Sequence, residues 1–334
     1  DSTDTLMEGY NMKWTRLAGV AAFVLLFCAA CQPKQKKETT PAIVIGFSQL
    51  GQESSWRQRN TDSVLEAAAD ARYRVLYRNG DASQEQQIKQ VRSFIISRVD
   101  AIVLAPIVET GWSTVLAEAK KAGIPVILND RNIAANERRY ITSGVYTDAV
   151  GEGKKAAAFI KKKFADHTGP VRMVQIYGNK DSSVSAGRSQ GFTQALAGDS
   201  RFQTVVVRYG DFMISKGEEV IRQLAKEIDL KNIDVIFSHN DDMTLGILKY
   251  LKATAIRPGK DIVIVSIDAT QKGIDALRRG EINADIECNP ETGAKVMNLI
   301  NLILNKRQFE PAYYLEDKVF SEFDSNLSSV QRKY

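Results

Sequence analysis

AIVLAPIVETGWSTVLAEAKKAGIPVILND, residues 101–130, decides the fold. AIVLAP (101–106) is a short apolar run. A helical stretch follows to Lys121, then Gly123, then a second apolar run, IPVILND (124–130). Strand, helix and strand in so short a span form one βαβ unit, in which a helix crosses over and the two strands run parallel. Unbroken apolar runs, rather than alternating ones, mark strands covered on both faces.

The same unit repeats on either side. Upstream are AIVIGF (42–47), a helical stretch from Trp56 to Ala71, YRVLY (73–77) and SQEQQIKQVRSFIISR (83–98). The last opens with Ser83 and Gln86 as a capping box and sets Ile88, Val91 and Ile95 on one face. Downstream the rhythm restarts with YITSGV (140–145), a helix from Asp148, VRMVQIYG (171–178), a helix over Ala186–Leu196 and FQTVVVRYG (202–210). ISKGEEVIRQLAKEI (214–228) reads as a helix with a capping box of Ser215 and Glu218. IDVIFSHN (233–240), IVIVSID (262–268) and INADIE (282–287) complete a second set of strands, and a last helix spans Glu291–Leu304. The expected fold is α/β, with two Rossmann-like lobes, each around a parallel sheet. No long Pro- or Ser-rich linker separates them, so short segments acting as a hinge must join them.

The chain's 334 residues suffice for two domains. Its formal charge of +5 is spread along the sequence, which argues against a nucleic-acid surface. PKQKK (33–37) is a tight basic cluster and reads as a tether near a membrane. Before it, Lys13 and Arg16 precede an apolar run, Leu17–Phe27, too short to span a bilayer. Cys28-Ala29-Ala30-Cys31 then resembles a bacterial lipoprotein signal, cleaved before Cys31, whose thiol takes the lipid. Residues 1–40 are therefore expected to be signal and tether, and the mature protein a membrane-anchored lipoprotein of the cell envelope, periplasmic or extracytoplasmic. Cys288 alone remains in the mature chain, which excludes an internal disulfide.

Ligands of open parallel sheets bind beyond the carboxyl ends of the strands. The residues there form a consistent set. Glu53, Trp56 and Arg57 follow the first strand, and Asp130 and Arg131 the fourth. Arg188, Phe212, Asn240, Asp268 and Cys288 follow strands of the second half. Carboxylate, amide and guanidinium groups each grip neighbouring sugar hydroxyls in one plane. An aromatic ring packs on the apolar C–H face of a sugar. Arg57, Arg131 and Arg188 balance Glu53, Asp130 and Asp268, so the set favours a neutral polyol over an anion. Trp112, inside a helical stretch, is assigned to packing.

Signals for catalysis, a metal or a cofactor are lacking. HExxH and P-loop patterns are absent. His167 and His239 are far apart in sequence. GEGKKA (151–156) matches a dinucleotide fingerprint, but Asp148 already caps the helix, so its glycines fall inside the first turns.

From Ile43 to about Val319 the chain resembles the ribose/galactose type of sugar-binding proteins of ABC transporters, and within it the galactofuranose-binding branch. The resemblance rests on FSQLGQESSWRQRNTDS (47–63), APIVETGW (105–112), PVILNDR (125–131), SAGRSQGF (185–192), NDDMTLG (240–246) and IECNP (286–290). It implies a type I periplasmic binding protein: a first lobe of residues 41–146 plus 289–318, a second of 147–288 plus 319–334, and three crossings near Tyr146, Cys288 and Val319. It implies a monosaccharide held in the cleft, hinge closure, delivery to an ABC permease and a monomer. It also places Trp56 at an aromatic ligand position, with Glu53 and Arg57 beside it. Cys288 stands where ribose binders have a glutamine, and Arg57 where they have a second aromatic; both departures argue against ribose. A sensory module presenting its closed form to a membrane receptor shares this fold. A repressor's effector domain conflicts with the signal segment, and a glycosidase lacks a leaving-group site. Glu53, Trp56 and Arg57 are expected to select the sugar more than they hold the fold.

Overall fold

Strand β1 (Val44–Gln49) lies between β2 (Arg74–Asn79) and β3 (Ala101–Leu104), parallel to both. The computed structural model describes residues 42–334, so the signal, the Cys31 lipidation position and the tether lie outside the described residues. The sheet continues through β4 (Val126–Asp130), β5 (Ser143–Tyr146) and the short β11 (Tyr313–Tyr314). Its order is β11-β5-β4-β3-β1-β2, all parallel. Helices α1 (Ser55–Asp70), α2 (Gln84–Ile96) and α3 (Ser113–Lys121) are its crossovers, and α9 (Gly293–Leu304) packs beside α1.

Alternate strand residues serve opposite faces, and both faces are covered. Ile45, Phe47, Val103 and Ile127 pack with Val64 of α1 and Val296 of α9. Ile102, Leu104 and Leu128 pack on the other face with Phe94 of α2 and with Trp112, which is fully buried. Gly46 permits this layer, because a Cβ there would overlap the Phe94 ring. Burial on both faces explains why these strands read as apolar runs.

The second sheet comprises β6 (Val171–Tyr177), β7 (Phe202–Tyr209), β8 (Val235–Ser238), β9 (Val263–Asp268), β10 (Ala284–Glu287) and β12 (Val319–Ser321). The order is β12-β10-β9-β8-β6-β7, parallel except for the β10–β12 pair. Helices α4 (Ala149–Lys163) and α5 (Ser183–Leu196) cover one face through Ala156, Ile160 and Phe192. Helices α6 (Ile214–Glu227), α7 (Asp241–Lys252) and α8 (Gln271–Arg278) cover the other through Leu224, Ile247 and Ile274.

Two local readings meet different fates. Asp148 does cap α4, accepting from the Gly151 N–H at 2.9 Å, and the GEGKKA glycines lie inside the helix. A Cβ on Gly153 would overlap the Arg188 carbonyl of α5, so this motif serves close helix packing and not a pyrophosphate. The capping box of Ser215 and Glu218 does not form. Helix α6 starts at Ile214, which puts Ser215 within it, and Glu218 pairs instead with Arg222 and Lys249, each at 2.7 Å.

The chain passes between the sheets after β5, after β10 and between β11 and β12. The last two passages are tied together: the Asn289 N–H donates to the Asp317 carboxylate at 3.0 Å, and the Glu287 N–H to the Lys318 carbonyl at 2.8 Å. Among the described residues no helix is long and apolar enough to cross a membrane.

Candidate functional site

The carboxyl ends of both sheets carry backbone in unusual conformations. Asp130 closes β4 with φ +67°, and Asp268 closes β9 with φ +125°. After β7, Asp211 and Phe212 have φ +53° and +62°. An aromatic residue in the left-handed region is uncommon, and such residues cost about 1–3 kcal/mol each. Surrounding structure holds them there. The Asn240 amide donates to the Phe212 carbonyl at 3.2 Å, and Gly178 leaves the space that the Phe212 ring fills.

Three buried arginines organise the site. The Arg57 Nε donates to Glu53 Oε1 at 3.1 Å and its Nη2 to Asp130 Oδ2 at 2.7 Å. Burial opposes its charge, but the Asp130 and Glu53 carboxylates outweigh it and raise its pKa above the ordinary value. Burial likewise opposes the Asp130 charge; Arg57, Arg131 and the Thr147 hydroxyl overcome it and lower that pKa. Arg188 donates from Nε to Glu152 Oε2 at 2.7 Å and from Nη1 to the His239 carbonyl.

Arg131 is different. It donates to the Ile107 carbonyl at 3.2 Å and to Asn179 Oδ1 at 2.9 Å, but its nearest carboxylate oxygens, on Glu53 and Asp130, are 3.8 and 3.9 Å away. Burial, and then repulsion from Arg57, pull its pKa down to about 10. It is still charged at neutral pH.

Aromatic rings complete the walls. The Phe212 ring lies against two guanidinium groups, with Arg131 Cζ at 5.4 Å and Arg188 Cζ at 5.9 Å from its centroid. This placement suits a cation–π contact. Trp56 stacks under Arg57 at 4.7 Å, and its indole N–H donates to the Cys288 carbonyl at 2.6 Å. The Cys288 thiol is buried 3.6 Å from the Thr147 hydroxyl, and burial raises its pKa well above the usual value. Burial does the same to the Asp268 carboxyl, against the pull of Arg188 Nη2 at 3.8 Å.

One cavity gathers all ten residues singled out in the sequence: Glu53, Trp56, Arg57, Asp130 and Arg131 from the first sheet's edge, Arg188, Phe212, Asn240 and Asp268 from the second's, and Cys288 between them. Ser54 and Val184 also line it. The space among them amounts to about 280 Å³ and is partly open to solvent. Three buried atoms of lining residues have no protein partner: Glu53 Oε2, Arg57 Nη1 and Arg131 Nε. One acceptor and two forked donors, with balanced charge and two aromatic rings, suit a polyhydroxylated neutral ligand.

Three features escape a reading of the sequence. Glu152, which neutralises Arg188, sits inside the GEGKKA helix and is fully buried. Asn179 holds Arg131 from the opposite half; its one signal is its place just after β6. Asn240 uses its oxygen on the Met243 N–H and one amide N–H on the Phe212 carbonyl, so it positions the ring and keeps a second N–H.

Comparison with known proteins gives a coherent set. The family model described as "Periplasmic binding protein domain" matches residues 45–308. The galactofuranose-binding protein YtfQ of Escherichia coli K12 is 38% identical over 249 residues, 74% of this chain and 78% of that protein. A Mycobacterium smegmatis crystal structure in complex with β-D-fucofuranose superposes with TM-score 0.82 at 35% identity, covering 86% of this chain and 93% of that one. The binding-protein component of the arabinose ABC transporter of Shewanella sp. ANA-3, bound to α- and β-L-arabinofuranose, gives TM-score 0.81 at 32% identity, with coverage of 86% and 93%.

Proposed function

The chain belongs to the periplasmic binding protein family, and from that premise we propose that it is the substrate-binding component of a sugar ABC transporter, taking a neutral, galactofuranose-like monosaccharide. It is a binding protein and not an enzyme. The observation that carries this reading is the cavity between the two sheet edges, with three arginines, three carboxylates and unpartnered Glu53 Oε2, Arg57 Nη1 and Arg131 Nε. The three relatives are named for, or hold, sugars in the furanose form. In this reading residues 41–146 plus 289–318 and residues 147–288 plus 319–334 are the two lobes, and the three passages between the sheets are the hinge. Sugar bridges the lobes and favours the closed state, which a monomer presents to a permease. The transporter named for one relative favours transport over sensing.

Calorimetric titration with D-galactose and L-arabinose, whose solutions hold both ring forms, with the ring-locked methyl galactofuranoside and methyl galactopyranoside, and with D-ribose tests the assignment. A furanose should bind best, at micromolar affinity or tighter, corresponding to about −8 kcal/mol. Preference for the pyranose or for ribose would refute the furanose reading.

Attachment through Cys31 is part of the proposal, supported by the Lys13/Arg16, Leu17–Phe27, Cys31 order. Cys31→Ser should move the protein from the membrane to the soluble fraction. Unchanged fractionation would remove the anchor.

A further inference from the structure

Asp242 and Ser55 lie outside the cavity, on helices that cover different sheets. They nevertheless meet. Asp242 Oδ2 accepts from the Ser55 backbone N–H at 2.9 Å and from its hydroxyl at 3.2 Å. The local geometry makes this contact informative. Helix α1 has its own cap, since the Ser54 hydroxyl accepts from the Arg57 N–H at 3.1 Å. Helix α7 also has its own, since Asn240 Oδ1 accepts from the Met243 N–H at 3.0 Å. Asp242 is therefore not needed to cap the helix that carries it. Its carboxylate reaches across the cleft to one of the first N–H groups of α1, which lack a partner within their own helix. It lies at the positive ends of two helix dipoles at once. Asp242 is 4% exposed, and Lys272 and Glu53 are the other charged groups that act on it.

We propose that Asp242 and Ser55 form an interlobe latch, which strengthens the closed state equally for every sugar the cleft accepts. The proposal rests on the reading of the cleft as a sugar site that closes. In the closed form, Asp242 and the α1 N-terminus satisfy each other. In an open form both return to water. Other direct contacts cross the cleft, among them Arg131 to Asn179 and the Asn132 N–H to the Ser183 hydroxyl at 2.9 Å. Of these, the Asp242 contact alone combines an ionisable acceptor with a site beyond the ligand walls. The apparent dissociation constant scales inversely with the closed-competent fraction. Losing the latch should thus weaken all ligands by one common factor, leave their ranking unchanged and act through faster dissociation.

The chain offers a backbone probe for this. Ser55 is the first residue of α1, a position where proline is favoured because its N–H is spare within the helix. Ser54 is extended, with φ −145° and ψ 160°, as a residue before proline must be. Ser55→Pro therefore removes the donor and keeps the helix. Asp242→Ala removes the acceptor. A hydrogen bond to a charged group is worth enough that each change should weaken D-galactofuranose and L-arabinofuranose binding by roughly tenfold. The ratio between the two sugars should stay as in the wild type, and so should the melting temperature of the sugar-free protein. The double variant should bind no more weakly than the weaker single one, because both changes remove the same bond. Multiplicative losses, a changed sugar ratio, or wild-type affinity in both single variants would overturn the latch. Failure of the wild type to bind any furanose would overturn the sugar reading and the latch with it, an outcome distinct from equal binding by wild type and variants.

Discussion

Arg131→Ala should cost sugar binding about 2–5 kcal/mol, the range for removing one partner from a buried polar interface. That is a loss of roughly 30-fold or more in affinity. The free protein should lose only about 1 kcal/mol, because the hydrogen bond Arg131 makes within its own half is the one to the Ile107 carbonyl. This combination is specific to Arg131. Its guanidinium has no carboxylate within 3.5 Å to strand, and burial beside Arg57 already disfavours its charge. One of its two protein hydrogen bonds crosses to Asn179 in the other half, so that bond belongs to the closed form. Titration with the best sugar and thermal unfolding of the sugar-free variant read the two effects separately. A large fall in melting temperature with little change in affinity would make Arg131 a structural residue.

Arg57→Ala should behave in the opposite way, losing stability as well as binding. Its partners Glu53 and Asp130 lie at the same sheet edge, so the ion pairs survive opening of the cleft. Removing the cation leaves the buried Asp130 carboxylate with only the Thr147 hydroxyl and, at 3.9 Å, Arg131, at a cost of about 3–5 kcal/mol in the free protein. The pH dependence has a definite sign. The Asp130 pKa is lowered on folding, so its contribution is present above the unfolded value of about 3.9 and is lost as pH falls through the folded value. The variant should therefore differ most from the wild type near neutral pH, with the gap narrowing in acid. Denaturant midpoints at neutral and acidic pH measure this. Wild-type stability at neutral pH would show that Thr147 and Arg131 suffice to hold the Asp130 charge.

This revises the expectation that Glu53, Trp56 and Arg57 select the sugar more than they hold the fold. Trp56 is 4% exposed and packs in a core cluster with Cys288 and Ile286. Its indole is anchored to the Cys288 carbonyl, at the passage between the sheets. The stretch after β1 thus joins the ligand walls to the framework.

The sequence made the strands legible because parallel sheets bury both faces: AIVLAP and IPVILND have almost no polar position to confuse them. It made the cavity walls legible because ligands of such sheets bind beyond the strand ends. Which atoms are free to bind was not legible. Asn240 reads as a binding amide, and its oxygen and one N–H are spent on Met243 and Phe212, a matter of where β7 turns. Glu152 reads as one charge on a surface helix, yet close packing of α4 on α5 buries it against Arg188. The left-handed backbone of Phe212 has no signature in residue type, since Phe is a poor choice for it. Each of these depends on contacts between elements distant in sequence. Periodicity and capping rules report only local order, and even these failed at Ser215, where the helix starts two residues too early.

The most direct test is small-angle X-ray scattering of the wild-type protein during titration with D-galactofuranose. The expected result is a contraction that saturates together with the calorimetric binding curve, and no contraction with methyl β-D-galactopyranoside, whose six-membered ring cannot open. Stoichiometric binding of D-galactofuranose with an unchanged scattering profile would contradict closure of the lobes around the sugar.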